Sequence, residues 1–440
     1  MRSDSRRKAP SPSPAASSSR PGSSPGKPSQ RSGAPAPGRL PRGLEFLEEI
    51  LSQPSAPFRE GHVIRVLTEA FDEAGVPWFE DSVGNLVVGA ASEKEYLTLL
   101  RPKKAGAKPP PLRLFIAHLD HPGFHGSRWV DDTTLEVLWH GGSPTQHLEG
   151  AKVWLADRQN TRAEGSLTAV VMTPSGRAIQ KAHVRLPAPL AASKKLPATD
   201  VFGGLGFRAP VWEENERIYT KAADDLVGSY AIAQLALTHL ARGKKKPGKR
   251  SQAAPFIGLL TRAEEVGYIG ALGHLEAGYL AKARREILCI SLETSRALPG
   301  AEIGKGPVVR QGDRFGVFHP EASRAFALLA QKTLPDRHQK RVMDGGTCEA
   351  TTTMVYGFPT VGISVPLGNY HNTSFEGGPD SAGPLGPAPE FVHLKDLEGL
   401  LKLCEALLNA RFEWQSLFAR EKKTLQKLYR SYRKLIHSSA

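Results

Sequence analysis

The 440 residues, 40% hydrophobic and 23% charged, suffice for two or three domains with a sizeable core, and no stretch approaches the roughly 18 uninterrupted apolar residues of a membrane span. Three widely separated cysteines, Cys289, Cys348 and Cys404, exclude a disulfide framework and point to a reducing compartment, the cytoplasm. The formal charge of +14 sits at the ends: residues 1–40 carry eight Lys/Arg against Asp4, and residues 411–440 carry eight against Glu413 and Glu421. The near-neutral body between them argues against a whole-surface polyanion binder, leaving nucleic acid to the tails alone.

In chain order, residues 1–40 are mostly Ser, Pro, Gly, Ala and Arg, with too few large apolar side chains to offset the entropy of ordering, and are expected to be disordered. They lack the apolar run of a secretory signal, so no export is expected. Leu44, Leu47, Ile50 and Leu51, then Val63, Val66, Leu67, Ala70 and Phe71, recur at helical spacing, with Gly75 as a stop. Strands are expected at 86–88 and 112–117, separated by a Lys/Pro-rich loop from Arg101 to Pro111.

Residues 126–218 change texture, with short strand candidates at 135–139, 152–156 and 166–171 divided by Gly, Pro and Asp, and read as an inserted all-β domain. Beyond it come a helix over 225–241, a strand over 256–260, a helix near 270–280 and a strand over 286–292. This alternation predicts an α/β fold: a mostly parallel sheet with helices on both faces, built from 41–125 and 219–410 and interrupted by the β insertion. Over 411–440, Trp414, Leu417, Phe418, Leu425, Leu428, Tyr429, Tyr432, Leu435 and Ile436 form one apolar stripe among Lys and Arg. The stripe predicts an amphipathic helix docked on the body or on a partner subunit rather than a nucleic-acid arm.

In open α/β sheets, functional groups gather beyond the carboxyl ends of the strands. Here His118 and Asp120 follow 112–117, Glu264 and Glu265 follow 256–260, and Glu293 follows 286–292; Asp224 and Asp225 open a helix, and His371 lies in LGNYHNTSFE. Singly, each has an ordinary explanation as a cap, a solvated pair or a core histidine. Together, two adjacent carboxylates directly after an apolar strand call for a compensating cation, and the set suits two borderline cations such as zinc sharing a carboxylate. A Glu-Glu pair can divide the roles of ligand and general base, which is hydrolytic chemistry on a carbonyl.

The motifs AHLDHPGF (117–124), KAADDLVG (221–228), TRAEEVGYIGA (261–271), SLETS (291–295) and GNYHN (368–372) together resemble, in order, those of the tetrahedral and glutamyl aminopeptidases, dinuclear metallopeptidases. The resemblance spans about 44–410 and implies their zinc-aminopeptidase-like fold with an inserted β domain. It implies one ion held by His118, Asp224 and Glu293 and another by Asp224, Glu265 and His371, with zinc first and cobalt or manganese as alternatives. Glu264 is then the general base, Asp120 orients His118, and Asp225 is structural. It also implies peptide substrates and homo-oligomers, from dimers to dodecamers built through the insertion; no membrane partner is expected, because no apolar run is long enough to span one.

The chain departs from the family pattern at His121, where an acidic residue is usual, at Glu293, usually Asp, and at Cys348-Glu349 in the Gly-Thr-Asp-Ala segment. Two other functions compete with aminopeptidase activity. One is an amidohydrolase or deacylase using the same metals; the other is a catalytically silent polyanion binder using the tails and the Lys244–Arg250 run.

Overall fold

The computed structural model describes residues 40–102, 109–160, 162–189, 196–241 and 253–438. The expected disorder of 1–40 lies, except for Leu40, outside the described residues, as does the Lys244–Arg250 run.

Helices α1 (Glu45–Leu51) and α2 (Gly61–Ala74) come first, as their apolar spacing requires; α2 ends at Gly75, whose φ of 66° suits glycine. Then follow β1 (Trp78–Glu80), β2 (Leu86–Val88), α3 (Glu93–Leu100), capped by the Ser92 side chain, and β3 (Leu112–His118).

Strands β4 (Gly123–Trp129), β5 (Thr134–His140), β6 (Lys152–Ala156), β7 (Arg162–Met172), β8 (Ile179–Arg185) and β9 (Phe202–Leu205) close a barrel in the order β4-β5-β8-β7-β6-β9. Alternation builds its core: Leu135, Val137 and Trp139 point inward while Leu138 is exposed.

The strand change falls at different residues from 126 and 218. The barrel begins at Gly123 and ends at Leu205, and β10 (Val211–Glu214) and β11 (Arg217–Thr220) form a hairpin outside it. The hairpin turns on Asn215 and Glu216, both at positive φ, and Tyr219 packs between Trp212 and Phe391.

The remaining elements are α4 (Leu226–His239), β12 (Phe256–Thr261), α5 (Ile269–Glu276), β13 (Ile287–Arg296), β14 (Val308–Asp313), α6 (Pro320–Thr333), β15 (Gln339–Met343), α7 (Glu349–Val355), β16 (Thr360–Leu367), β17 (Glu390–His393), α8 (Leu394–Leu407) and α9 (Leu417–Ser438). The main sheet has eight strands in the order β1-β2-β12-β3-β13-β16-β14-β15, and its central strands β12, β3, β13 and β16 run parallel.

Both faces of this sheet are covered. Phe115 and Ala117 join one core with α4, α6 and α8, while Leu114 and Ile116 join another with residues of α3 and α5. This is why the strands read as continuous apolar runs.

Strand β13 runs further than 292. Its pairing with β3 stops at Ser291, but its pairing with β16 continues to Arg296, so Glu293 lies inside the strand. A crevice opens where β3 ends and β13 and β16 run on.

The apolar stripe of the C-terminal segment divides. Phe412 and Trp414 are buried with the Arg113 guanidinium over their rings, whereas α9 exposes Phe418, Leu425, Leu428, Tyr429 and Tyr432 and is not docked along the body. Trp414 precedes the helix, so it does not share the helical face.

Candidate metal centre and active site

The sheet brings all seven expected residues to this crevice. His118 ends β3; its Nδ1 lies 3.1 Å from the Asp120 carbonyl oxygen, which can only accept, so Nδ1 donates and Nε2 of the neutral ring keeps its lone pair for the crevice. Nε2 lies 3.6 Å from Asp224 Oδ1 and 3.9 Å from Glu264 Oε2. His371 Nε2 lies 3.0 Å from Glu265 Oε2 and 3.9 Å from Asp224 Oδ2.

Donor atoms fall within 4.8 Å of one another in each of three groups: His118–Asp224–Glu293, Asp224–Glu265–His371 and His118–Glu264–Glu265. The first two share Asp224. Asp225, by contrast, caps α4: its Oδ1 accepts from the Gly228 N–H and, at 2.7 Å, from the Thr294 hydroxyl.

The Glu264–Glu265 turn is clamped by side chains from three other segments. Asp120 accepts the Glu264 N–H at 2.9 Å and the Glu265 N–H at 3.1 Å, one on each carboxylate oxygen, in addition to standing beside His118. Fully buried Glu60 accepts from the Ala263 N–H at 3.0 Å and from Arg262 Nε at 2.8 Å. Asn85 accepts the Arg262 N–H and donates to the carbonyl of Gly270 and to Asp81. These bonds offset the left-handed backbone at Ala263 and Tyr268 on either side of the turn.

A second clamp is Glu390 on β17. Its carboxylate accepts from the N–H groups of Ala223 (2.7 Å), Asp224 (3.1 Å) and His371 (2.8 Å), tying two of the donor segments to one strand. His121 donates from Nδ1 to the Asp224 carbonyl at 3.0 Å, so the histidine that stands where an acidic residue is usual bonds the Asp224 backbone.

Glu60, Asn85, Glu390 and Arg310 escape sequence reasoning; the only signal is a charged or polar side chain beside apolar runs. Arg310, 3% exposed, crosses over Gly362, where a Cβ would sit 3.1 Å from its Cδ, and faces Glu293.

The electrostatics are those of buried, clustered carboxylates faced by one arginine and two histidines. Burial pushes Glu293 up to about 7, with Arg310 and His118 opposing, and pushes Glu264 well above the usual range, with His118 opposing and Glu293 adding. Burial alone would lower His371, but Glu265 holds it at about 8; His118 is raised by Glu264 and Asp120 in the same way. Glu349, beside them, is pushed to about 8 by burial and accepts the Thr261 hydroxyl. Burial raises the Cys348 thiol as well, which removes it as a nucleophile.

Three buried carboxylate oxygens, Asp224 Oδ1, Glu265 Oε1 and Glu293 Oε1, have no hydrogen-bond partner, and His371 Nε2 stands against the carboxylates of Glu265 and Asp224. Oxygen and imidazole lone pairs converging without hydrogens fit divalent cations. They face a cavity of about 480 Å³. Loops of the barrel form part of its wall: Gly142 abuts His371 so closely that a Cβ there would overlap Nδ1, and Ser143 and Arg177 line the same space.

A family model described as M42 glutamyl aminopeptidase matches residues 100–376. The chain belongs to this family. It is a metal-dependent aminopeptidase, a hydrolase of peptide bonds, and this membership disfavours the deacylase and silent polyanion-binding readings.

Solved structures share the fold. The TET1 peptidase of Pyrococcus horikoshii superposes with a TM-score of 0.62 at 20% identity, over 83% of this chain and 99% of its own. The TET aminopeptidase of Thaumarchaeota archaeon SCGC AB-539-E09 gives 0.64 at 18% identity, over 86% and 99%. The aminopeptidase APDkam598 of Desulfurococcus kamchatkensis gives 0.62 at 20%, over 84% and 96%. No curated protein matches the chain in sequence.

Proposed function

We propose that this M42 aminopeptidase removes N-terminal residues from peptides at the β3–β13 crevice. His118, Asp224 and Glu293 would hold one divalent ion and Asp224, Glu265 and His371 a second, with zinc first and cobalt or manganese as alternatives for a mixed imidazole–carboxylate set. The observation that carries this reading is the convergence of three buried, partnerless carboxylate oxygens and two imidazoles on two triads sharing Asp224. Such ions, when bound, supply Lewis acidity and make water a better nucleophile.

The chain's own residues do the rest. Glu264, raised by burial, accepts a proton from the attacking water and returns it to the leaving nitrogen as the C–N bond breaks. Asp120 and Glu60 hold its backbone in place, and Glu390 holds Asp224 and His371.

The cavity wall carries Arg177, Arg296 and Arg310, which together with the family description favours acidic N-terminal side chains. The assembly of the Pyrococcus horikoshii peptidase into a tetrahedron or octahedral shell supports a homo-oligomer here. Three free, buried cysteines support a cytoplasmic setting.

The test is metal analysis of the purified protein together with turnover of free and N-acetylated peptides bearing Glu, Leu or Lys at the N-terminus. Up to two divalent ions per chain, loss of turnover on chelation and a preference for free Glu peptides are expected. Full turnover by metal-free protein would overturn the site, and equal turnover of blocked peptides would overturn the exopeptidase reading.

A further inference from the structure

Helix α9 is 22 residues long, about 33 Å. It is rooted at its N-terminal end: the Phe418 N–H donates to Glu321 Oε1 at 2.7 Å, and Arg420 reaches Glu413 at 3.2 Å. From that root onward, the side chains of Phe418, Leu425, Leu428, Tyr429, Tyr432, Leu435 and Ile436 are 51% to 63% exposed. At 3.6 residues per turn they fall within an arc of about 120°.

The rest of the circumference, centred opposite the apolar arc, holds Arg420, Lys422, Lys423, Lys427, Arg430, Arg433 and Lys434, and the single acid, Glu421, falls at the margin of the first turns among the apolar residues. An occupant must therefore accept large apolar and aromatic side chains on one side and supply negative charge alongside. A second copy of α9 would cover the apolar arc but leave the basic face of each helix turned outward with no counter-charge. A nucleic acid would neutralise the basic arc and leave Leu425, Leu428 and Tyr432 in water.

We propose that α9 is a docking helix for an anionic lipid surface. It lies in the headgroup plane with its apolar arc inserted and its lysines and arginines against acidic headgroups, carrying the peptidase to the membrane face. Phe418, Tyr429 and Tyr432 are amphipathic or aromatic in the way such interfaces favour. This is peripheral binding: among the described residues no helix is long and apolar enough to cross a membrane.

The test is co-sedimentation of the full-length protein with vesicles of phosphatidylcholine alone and of phosphatidylcholine with about one third phosphatidylserine. Partitioning at least ~10-fold stronger on the anionic vesicles at low salt, and weakened by added salt, is expected. The double substitution Leu425→Glu/Leu428→Glu and the triple substitution Lys422→Gln/Lys423→Gln/Lys427→Gln should each abolish it while peptide turnover stays at the wild-type level.

Equal partitioning on both vesicle types would overturn the proposal, as would wild-type binding by either variant. A fall in oligomer size caused by Leu425→Glu/Leu428→Glu, with no vesicle binding by the wild type, would give the helix to a second copy instead. Salt-dependent binding to duplex DNA without vesicle binding would give it to a nucleic acid.

Discussion

The crevice at the carboxyl ends of β3 and β13 and the helix α9 hold opposite charge in opposite settings. In the crevice, carboxylates of Asp224, Glu264, Glu265 and Glu293 are packed together, with Arg310 and two histidines facing them, and their positions are over-determined by hydrogen bonds to backbone N–H groups. On α9, cations stand in water beside an apolar arc with little to fix them beyond the first turn. In both regions the chain presents one sign of charge in excess, so each is incomplete without something from outside. Burial makes the difference in kind: charges withdrawn from water demand a compensating ion at a defined place, whereas exposed charges tolerate a diffuse, salt-screened partner.

The largest effect should come from Asp224→Ala. It removes a donor from both triads, and loss of bound metal together with loss of measurable hydrolysis is expected; metal analysis alongside kcat/KM checks both. Next is Glu264→Gln, expected to keep the metal yet lower kcat by at least ~10²-fold. Glu265→Gln should instead release metal, and identical behaviour of the two variants would collapse the distinction between base and ligand.

Glu60→Ala probes the clamp without touching a donor atom. It strands the N–H groups of Phe58 and Ala263 and the Arg262 guanidinium, so a stability loss of about 2–4 kcal/mol is expected, with kcat reduced more than KM is changed. Wild-type kcat in this variant would mean that the turn holds itself.

Further from the chemistry, Asp81 joins Asn85 to buried His274, whose Nδ1 is 2.8 Å from Asp81 Oδ2. Burial works to raise the Asp81 carboxyl, but hydrogen bonds from His274 and Asn85 outweigh it and hold it below 3.8. A depressed carboxyl contributes stability above its unfolded value, and that contribution is lost as pH falls through the folded value. Asp81→Asn should therefore cost about 1–3 kcal/mol at neutral pH, with the gap to wild type closing only in acid, below the ordinary aspartate range, in denaturant titrations. The smallest effect on catalysis should follow deletion from Leu417 onward, which leaves Trp414 against Arg113 and should leave kcat/KM on short peptides unchanged. A large loss would connect the two regions and break the contrast.

The crevice residues were legible because of a local rule: an apolar run that stops at a His, Asp or Glu marks a strand end, and several such ends in a parallel sheet meet at one crevice. His118, Glu264 and Glu265 obey it. Glu293 obeys it only loosely, because how far β13 runs depends on β16, some 70 residues later in the chain. The barrel's alternation was readable, but its ends were not: Gly123 and Leu205 are set by which strands close on each other, and the 211–220 hairpin pairs with β17 instead.

What the amino-acid order determined by itself was the type of the two leading helices, of the strands that end at the crevice and of the β insertion, the acidic and histidine residues at those strand ends, and the amphipathy of α9, all of which rest on short-range periodicity and side-chain chemistry. Tertiary structure alone decided which side chains hold those residues in place. Glu60 meets Ala263 and Glu390 meets Asp224 across intervals of 203 and 166 residues, and Gly142 of the barrel reaches His371. It also decided that Trp414 is buried while the helix after it faces water. Periodicity reports which face of an element is apolar but carries no information about what packs against it, because that choice is made by chain closure over long separations.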